Sequence, residues 1–194
     1  SAFAKTEALE NGFDEAIMLT AEGHVSEGSA ENIFLVVGNE LITPPPSENI
    51  LVGITRDTIM KLALRELGRI TRERVIDRTE LYTADEVFLV GTGAQIAPVT
   101  EIDHRPIGSG AIGPIAGELQ RLYGEVVHGD RPEYAAWCEP VYRPALVTTA
   151  RYTQRDHHTT STTHRSHKAQ NGHVSRNGHR SDHTGRSVAI AERV

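Results

Sequence analysis

The sequence predicts an α+β domain over residues 1–142, followed by a disordered tail over residues 143–194. Two observations support the domain: short apolar runs bounded by turn residues, which are typical of strands, and longer segments whose apolar residues recur at helical spacing. A third observation marks the tail, because no apolar periodicity continues through the Arg-, His-, Ser- and Thr-rich segment after Tyr142. Such a segment buries too little apolar surface to offset its conformational entropy.

Three segments have the features of helices. Residues 1–10 precede an Asn-Gly pair that is typical of a helix end. Residues 55–67 carry apolar side chains at helical spacing, and Thr55 is placed to cap the start. Residues 114–127 begin with a proline, which is favoured in the first turn. We therefore expect three main helices.

The strands are predicted from short apolar runs between turn signals. A break at Gly38-Asn39 divides residues 32–43 into a hairpin. A glycine-rich turn at residues 91–93 joins two further runs. A short helical piece is expected at residues 80–84. The predicted strands are residues 16–19, the two arms of the hairpin at 32–43, residues 75–76, residues 86–90 and residues 96–99.

Domain and tail differ sharply in charge. The tail holds nine Lys or Arg and three acidic residues, a formal charge of +6, whereas the domain holds 11 basic and 23 acidic residues, a formal charge of −12. The net −6 therefore describes neither part. A basic tail with seven histidines could bind nucleic acid, or zinc or nickel weakly, which leaves open a non-catalytic protein. No aromatic pattern interleaves the bases, so we expect a functionless extension and no nucleic-acid partner.

The remaining composition favours a cytoplasmic protein. Cys138 is the single cysteine, so the chain can form no internal disulfide and no cysteine-based zinc site. No apolar run is long enough to cross a bilayer, and no leader sequence is evident. We expect no membrane partner and no metal site in the domain.

Three features could carry chemistry. Glu27 lies on a connection among small residues, where its carboxylate could face a cleft. A helix that starts near Thr55 offers free N–H groups and the positive end of its dipole to an anion. The turn at residues 91–94 offers further N–H groups and a hydroxyl. Each has an ordinary interpretation, as a surface acid, a capped helix and a tight turn, so none alone indicates a function.

Taken together, the motifs SEGSAENIF, ILVGITR and GTGAQIAPV change this interpretation. They occur in the order and approximate spacing found in branched-chain amino-acid aminotransferases of the pyridoxal-phosphate fold-type IV class, which residues 11–129 resemble. The resemblance implies the large C-terminal domain of such an enzyme, with a mixed, β-barrel-like sheet surrounded by helices. It also implies pyridoxal 5'-phosphate as the cofactor.

The resemblance assigns roles to individual residues. Glu27 would pair with the pyridinium nitrogen of the cofactor, where a carboxylate keeps the nitrogen protonated. Leu51 would flank the ring. The backbone at Ile54 and Thr55, together with the side chain of Thr92, would bind the phosphate.

The resemblance also implies substrates and partners. The N–H groups of Gly93 and Ala94 would receive the substrate α-carboxylate. The whole enzyme would exchange an amino group between Leu, Ile or Val and 2-oxoglutarate, as a homodimer or higher homo-oligomer. A D-amino-acid aminotransferase or an aminodeoxychorismate lyase of the same fold remains an alternative. Arg56 could assist the phosphate or lie on the helix surface, and we expect the surface.

One element of the family pattern has no counterpart. The family uses a lysine to hold the cofactor and to move the substrate proton. Lys5, Lys61 and Lys168 are the lysines of this chain, and none matches that position. We expect the catalytic lysine to lie upstream of Ser1, and these residues alone to be inactive.

Overall fold

The computed structural model describes residues 2–139 and 186–191. It confirms the α+β class: these residues form one curled, open, mixed sheet of nine strands with helices packed on it. The elements are α1 (Ala2–Glu10), β1 (Glu15–Leu19), β2 (Val25–Gly28), β3 (Asn32–Val37), β4 (Glu40–Thr43), α2 (Ile54–Leu67), β5 (Thr71–Glu73), β6 (Glu86–Gly91), β7 (Gln95–Ile102), β8 (Arg105–Pro106), α3 (Pro114–His128) and β9 (Arg186–Ala191), with short 3-10 helices at Pro46–Glu48, Arg78–Tyr82 and Pro132–Trp137.

The sheet runs in the order β2-β1-β9-β7-β6-β3-β4-β5, and β8 pairs with β7. Most neighbours are antiparallel, including the β3–β4 hairpin and the β6–β7 hairpin. The exceptions are β4 with β5, and β9 with both β1 and β7, which are parallel. The order places β3 beside β6, so the loops that follow β2 and β6 emerge close together.

Apolar side chains fill both faces of the sheet. One buried cluster, the first cluster, lies on one face of the sheet and includes Ile17 and Leu89. The other lies beneath α2 and α3, where Phe34 and Phe88 stack with their ring centroids 5.3 Å apart. Because successive strand residues face opposite sides, neighbours such as Phe88 and Leu89 serve different clusters. This two-sided burial explains why β1, β3 and β6 read as continuous apolar runs.

Two local predictions were wrong in detail. The second helix begins at Ile54 with Gly53 as its N-cap, so Thr55 lies inside the first turn and does not cap it. The strand expected at residues 75–76 is displaced to β5, which pairs with β4. Ile76 is buried in the first cluster, and its carbonyl accepts a hydrogen bond from the N–H of Val25, whereas Val75 is exposed. Ile76 is thus buried without belonging to a strand ladder.

The structure departs from the predicted tail at one point. Arg186–Ala191 forms β9 in the middle of the sheet, whereas residues 143–185 and 192–194 lie outside the described residues. The strand alternates Val188 and Ile190 with smaller residues, a pattern of period two that six residues suffice to express. Its basic and polar surroundings concealed this signal in the sequence.

Two kinds of feature are absent from the described residues. No helix in residues 2–139 is long and apolar enough to span a bilayer. Across the same residues and β9, no three His, Cys, Asp or Glu side chains are grouped in a way that could hold a metal ion. The histidines of the predicted tail lie outside the described residues.

Candidate functional site

A cleft of about 520 Å³ lies where the ends of β2 and β6 meet the start of α2. It brings together six of the seven residues proposed from the sequence: Glu27, Leu51, Ile54, Thr55, Thr92 and Gly93. A larger cleft of about 690 Å³ lies near the other end of α2 and contains none of them. The smaller cleft is therefore the candidate site.

Glu27 projects from β2, next to the point where Gly28 pairs with Ile17 of β1. Its Oε2 accepts a hydrogen bond from the backbone N–H of Leu51 at 2.9 Å and one from the side-chain amide of Asn32 at 3.3 Å. The bond from Leu51 ties the carboxylate to the loop that leads into α2, and the bond from Asn32 ties it to the start of β3. Glu27 is thereby oriented by the fold at one wall of the cleft.

Asn32 was not proposed from the sequence, and it organises the site. Its side-chain amide donates to the carbonyl of Leu51 at 2.7 Å in addition to Glu27. The residue is buried at the start of β3. A buried amide must find partners, so its position at the head of an apolar strand was the available signal. Within SEGSAENIF, the resemblance points only to the glutamate and the small residues after it.

The N-terminus of α2 opens into the cleft. Gly53 caps it with extended backbone (φ −72°, ψ 143°) and without any side-chain hydrogen bond. The N–H groups of Ile54, Thr55 and Arg56 have no acceptor among the described residues, and neither has the hydroxyl of Thr55. A Cβ on Gly53 would lie 2.3 Å from Oδ1 of Asn32, so only glycine fits here without displacing that side chain. Unpaired N–H groups at a helix start favour an anion.

The turn between β6 and β7 forms the opposite wall. Gly91 pairs with Gln95 at the end of the hairpin, so Thr92 and Gly93 lie at its tip and line the cleft. A Cβ on Gly93 would meet nothing within 4 Å, so there is open space on the side where a side chain would project. Ala94 does not line the cleft but packs, partly buried, against the first cluster. Its role in binding a substrate stays a prediction.

Neither lysine within the described residues reaches the cleft. Lys5 of α1 donates to the carbonyl of Asp14 and pairs with Glu15 at 2.8 Å. Burial disfavours the charged carboxylate of Glu15, but hydrogen bonds from Lys5, the Ser29 side chain and a backbone N–H outweigh it and lower its pKa. Lys61 pairs with Asp57 on the exposed side of α2. Lys168 lies outside the described residues.

Arg56 is not on the surface, contrary to the sequence-based expectation. Its side chain is 4% exposed, donates to the carbonyl of Pro44 at 3.0 Å and pairs with Glu73 of β5. The first turn of α2 packs against the end of β4, so the residue after Thr55 must point into the protein. Arg56 fastens the start of α2 to the sheet and turns its guanidinium toward partners outside the cleft.

Comparison with known proteins identifies the motifs around this cleft. The family model described as amino-transferase class IV matches residues 1–102, which include every wall of the cleft. A probable branched-chain-amino-acid aminotransferase of Aquifex aeolicus is 54% identical over 142 residues, which are 73% of this chain and 46% of that protein. The chain thus spans about half the length of this relative.

Solved structures agree with the sequence match. A branched-chain amino acid aminotransferase from Thermobaculum terrenum, in its PLP-form, superposes with a TM-score of 0.70 at 46% identity, covering 72% of this chain and 46% of that one. The T.th. branched-chain amino acid aminotransferase, complexed with N-(5'-phosphopyridoxyl)-L-glutamate, gives 0.68 at 46% identity, covering 70% and 46% of the two chains. The chain belongs to the class IV aminotransferase family.

Proposed function

We propose that these residues are the cofactor-holding part of an aminotransferase that exchanges an amino group between Leu, Ile or Val and 2-oxoglutarate. The observation that carries the proposal is the single cleft in which Glu27, the start of α2 and the turn at Thr92 and Gly93 face one another. The relatives' names support the branched-chain substrates over a D-amino-acid aminotransferase or an aminodeoxychorismate lyase. The T.th. enzyme is complexed with a phosphopyridoxyl adduct of L-glutamate, which supports 2-oxoglutarate as the amino acceptor and glutamate as its product.

The cleft fits a phosphorylated pyridine ring at its α2 end. The N–H groups of Ile54 and Thr55 and the Thr55 hydroxyl are without protein partners in the described structure, and Thr92 stands across the cleft. A phosphate dianion would satisfy these donors and gain from the positive end of the helix dipole. We propose these three residues as the phosphate site.

Glu27 fits the other end of the ring. A carboxylate that is oriented by hydrogen bonds from Leu51 and Asn32 is placed to accept a hydrogen bond from a protonated pyridine nitrogen. Bound there, pyridoxal phosphate would supply a sink for the electrons left when an amino acid loses its α-proton. Leu51 lies beside the carboxylate and would cover one edge of the ring.

Substrate groups have candidate positions at the mouth of the cleft. Gly93 lines the cleft and has open space beside it, so its N–H group would receive an α-carboxylate. Leu51, Val52 and Ile54 line the cleft with exposed apolar side chains, and Ile54 is 86% exposed. We propose that branched side chains, and in the whole protein a second subunit of a homodimer, cover this apolar surface.

The proton-moving lysine belongs, in this proposal, to a part of the whole protein other than these residues. Lys5 and Lys61 are held in ion pairs away from the cleft. We therefore expect no transamination by this chain alone. After borohydride reduction with pyridoxal phosphate, mass spectrometry should find no site-specific pyridoxyl group on Lys5 or Lys61, and one such adduct would contradict the assignment.

The cofactor site can be tested by binding alone. Equilibrium dialysis should show that pyridoxal phosphate binds the chain and that inorganic phosphate competes. Thr55→Val should weaken binding by about tenfold, because a hydroxyl hydrogen bond to a charged group is lost. Thr58→Val is the matched control, since the Thr58 hydroxyl bonds to its own helix at 3.0 Å. Equal loss in both variants, or no binding by the wild type, would reject the site.

The substrates require the whole protein. Its kcat/KM with Leu, Ile and Val should exceed that with D-alanine, using 2-oxoglutarate as the amino acceptor. Release of pyruvate from aminodeoxychorismate would favour the lyase instead. These outcomes separate the substrate class from the cofactor site, which the binding experiment tests independently.

A further inference from the structure

Strand β9 lies in the interior of the sheet, although it is far in sequence from the other strands. It lies between β1 and β7 and is parallel to both. Parallel neighbours cannot be joined by a tight hairpin, so a long connection must deliver the strand. Residues 140–185 separate β9 from the preceding described residues.

One side chain of β9, that of Val188, is buried among apolar residues of the neighbouring strands β1 and β7. Val188 is 0% exposed and belongs to the first cluster with Ile17, Val99 and Ile102. It is paired in register with Glu15 on one side and Ile102 on the other. The remaining described side chains of the strand are only partly buried. Val188 is therefore the fully buried side chain of β9, and Ile190 packs against the same cluster while partly exposed.

Two aspartates, Asp14 and Asp103, form hydrogen bonds with the backbone of β9. Oδ2 of Asp14 accepts the N–H of Ser187 at 2.9 Å, and the Asp14 N–H donates back to the Ser187 carbonyl at 2.8 Å. Asp103 accepts the N–H of Ile190 at 3.0 Å and donates to the carbonyl of Val188 at 3.0 Å. Such contacts recognise an extended backbone whatever its side chains, as in peptides that add a strand to a sheet.

The polar side chains at the start of β9 add a charge preference. Arg186 lies 3.4 Å from the Glu31 carboxylate, and the Ser187 hydroxyl donates to Glu101 at 2.9 Å. Glu31 and Glu101 belong to the residues that flank β9 and not to the strand itself. The space between β1 and β7 thus favours a basic residue at the first position of its occupant.

The family match covers the flanking strands and not the occupant. Residues 1–102 include β1 and β7 completely, whereas β9 lies beyond them. We propose that β1 and β7 form a strand-acceptor groove, and that this chain fills it with its own residues 186–191 in the manner of an inserted peptide. The groove accepts a six-residue extended segment with a basic first residue and a β-branched apolar residue at the third position. This proposal does not depend on cofactor binding.

The proposal is tested in the full chain by opening the groove. Val188→Asp places a charge at the buried position, and Val174→Asp makes the same change in the connecting residues. Hydrogen–deuterium exchange should become about tenfold faster or more at residues 14–20 and 98–104 in the first variant only, while α2 stays protected. Val188→Ser is a milder second variant that should produce the same pattern with a smaller change.

A fluorescently labelled peptide of residues 186–191 tests whether the groove is open in the Val188→Asp chain. Fluorescence anisotropy should show binding to the Val188→Asp chain and restored protection of both walls. The same peptide with Val188→Asp should not bind. The wild type should bind neither peptide, because its tethered strand acts at a high effective concentration.

Three results would overturn the proposal. Unchanged exchange at the walls in both variants would show that β9 does not occupy the groove. If Val188→Ser also makes hydrogen–deuterium exchange faster at α2 as well as at residues 14–20 and 98–104, β9 is an integral strand of the domain and not an inserted one. A wild-type mass twice that of the chain, with protected walls, would assign the strand to a second copy.

Discussion

Helices α2 and α3 begin in almost the same way, yet only one of them opens into the cleft. Each has a glycine N-cap in extended conformation, Gly53 with φ −72° and ψ 143° and Gly113 with φ −76° and ψ 160°. Neither cap supplies a side-chain hydrogen bond. Without a capping side chain, the first N–H groups of both helices need an acceptor from another part of the chain or from a ligand.

The difference lies in what the fold places opposite each start. At α3, the buried carboxylate of Glu86 accepts the N–H of Ile115 at 3.0 Å and that of Ala116 at 2.8 Å. At α2, Asn32 occupies the corresponding place beside the glycine but turns its amide to Glu27 and the Leu51 carbonyl. One helix start is neutralised by the protein's own anion, and the other is left for a ligand. A helix N-terminus thus indicates an anion site only where the chain supplies no anion itself.

The largest effect is expected from removing the internal anion. Glu86→Ala leaves the N–H groups of Ile115 and Ala116 buried without an acceptor, which should lower the free energy of unfolding by about 2 to 4 kcal/mol. Urea denaturation measures this loss, and Glu86→Gln should lose less because one acceptor oxygen remains. Glu118→Ala, at an exposed position of α3, serves as the control and should change little.

The same variant also tests whether the two helix starts are independent. Pyridoxal phosphate affinity per folded molecule should be unchanged in Glu86→Ala, because the α2 start is untouched. A loss of affinity as large as that of Thr55→Val, with the protein still folded, would show that the comparison of the two ends is wrong.

An intermediate effect is expected at the two glycine caps. A Cβ on Gly113 would lie 2.1 Å from Cδ of Glu86, and one on Gly53 would lie 2.3 Å from Oδ1 of Asn32. Gly113→Ala should therefore lower stability by about 1 to 3 kcal/mol and leave cofactor affinity intact. Gly53→Ala should displace Asn32 and weaken pyridoxal phosphate binding by about tenfold.

Urea denaturation measures the stability of Gly113→Ala and Gly53→Ala, and equilibrium dialysis measures their affinity for pyridoxal phosphate. Gly93→Ala is the control for glycine loss at the cleft, because its added Cβ meets nothing within 4 Å. If Gly113→Ala and Gly53→Ala reduce affinity equally, the glycines act only through backbone flexibility and the anion comparison fails.

The sequence predicted both helices but could not distinguish their ends. Local signals, namely apolar spacing and, for α3, a proline at the start, are sufficient to locate α2 and α3. The contact of Glu86 with α3 joins residues far apart in the chain, and no periodicity encodes it. The motif resemblance supplied the phosphate role of Ile54 and Thr55, whereas the physical reason, an unfilled helix start, required the structure.

The failures have the same origin. Helical spacing predicts which face of a helix is apolar, so Arg56 was expected on the surface. It does not predict that the carbonyl of Pro44 accepts a hydrogen bond from the buried guanidinium. Asn32 was passed over because its partners, Glu27 and Leu51, lie on other elements. Strand β9 was concealed by polar surroundings, since six residues carry little signal until the walls of a sheet are in place.

The smallest effect concerns the opposite end of α2, which is closed by the protein. Glu66, in the last turn, accepts the Tyr134 hydroxyl and pairs with Arg131 at 2.8 Å. The hydrogen bond from Tyr134 and the charge of Arg131 outweigh partial burial and hold the pKa of Glu66 below its ordinary 4.5. A lowered pKa means that Glu66 stabilises the fold above pH 4.5 and that this contribution is lost as pH falls through the folded value.

Glu66→Gln should therefore lower the urea midpoint near neutral pH, and the difference from wild type should shrink as the pH falls to about 3. Tyr134→Phe should show the same trend, and the double variant should add little, because both changes remove one interaction. Pyridoxal phosphate affinity, compared at one neutral pH, should be the same in all of these proteins. A midpoint difference that stays constant with pH would mean that Glu66 acts by packing alone, and a change in affinity would mean that the two ends of α2 are coupled.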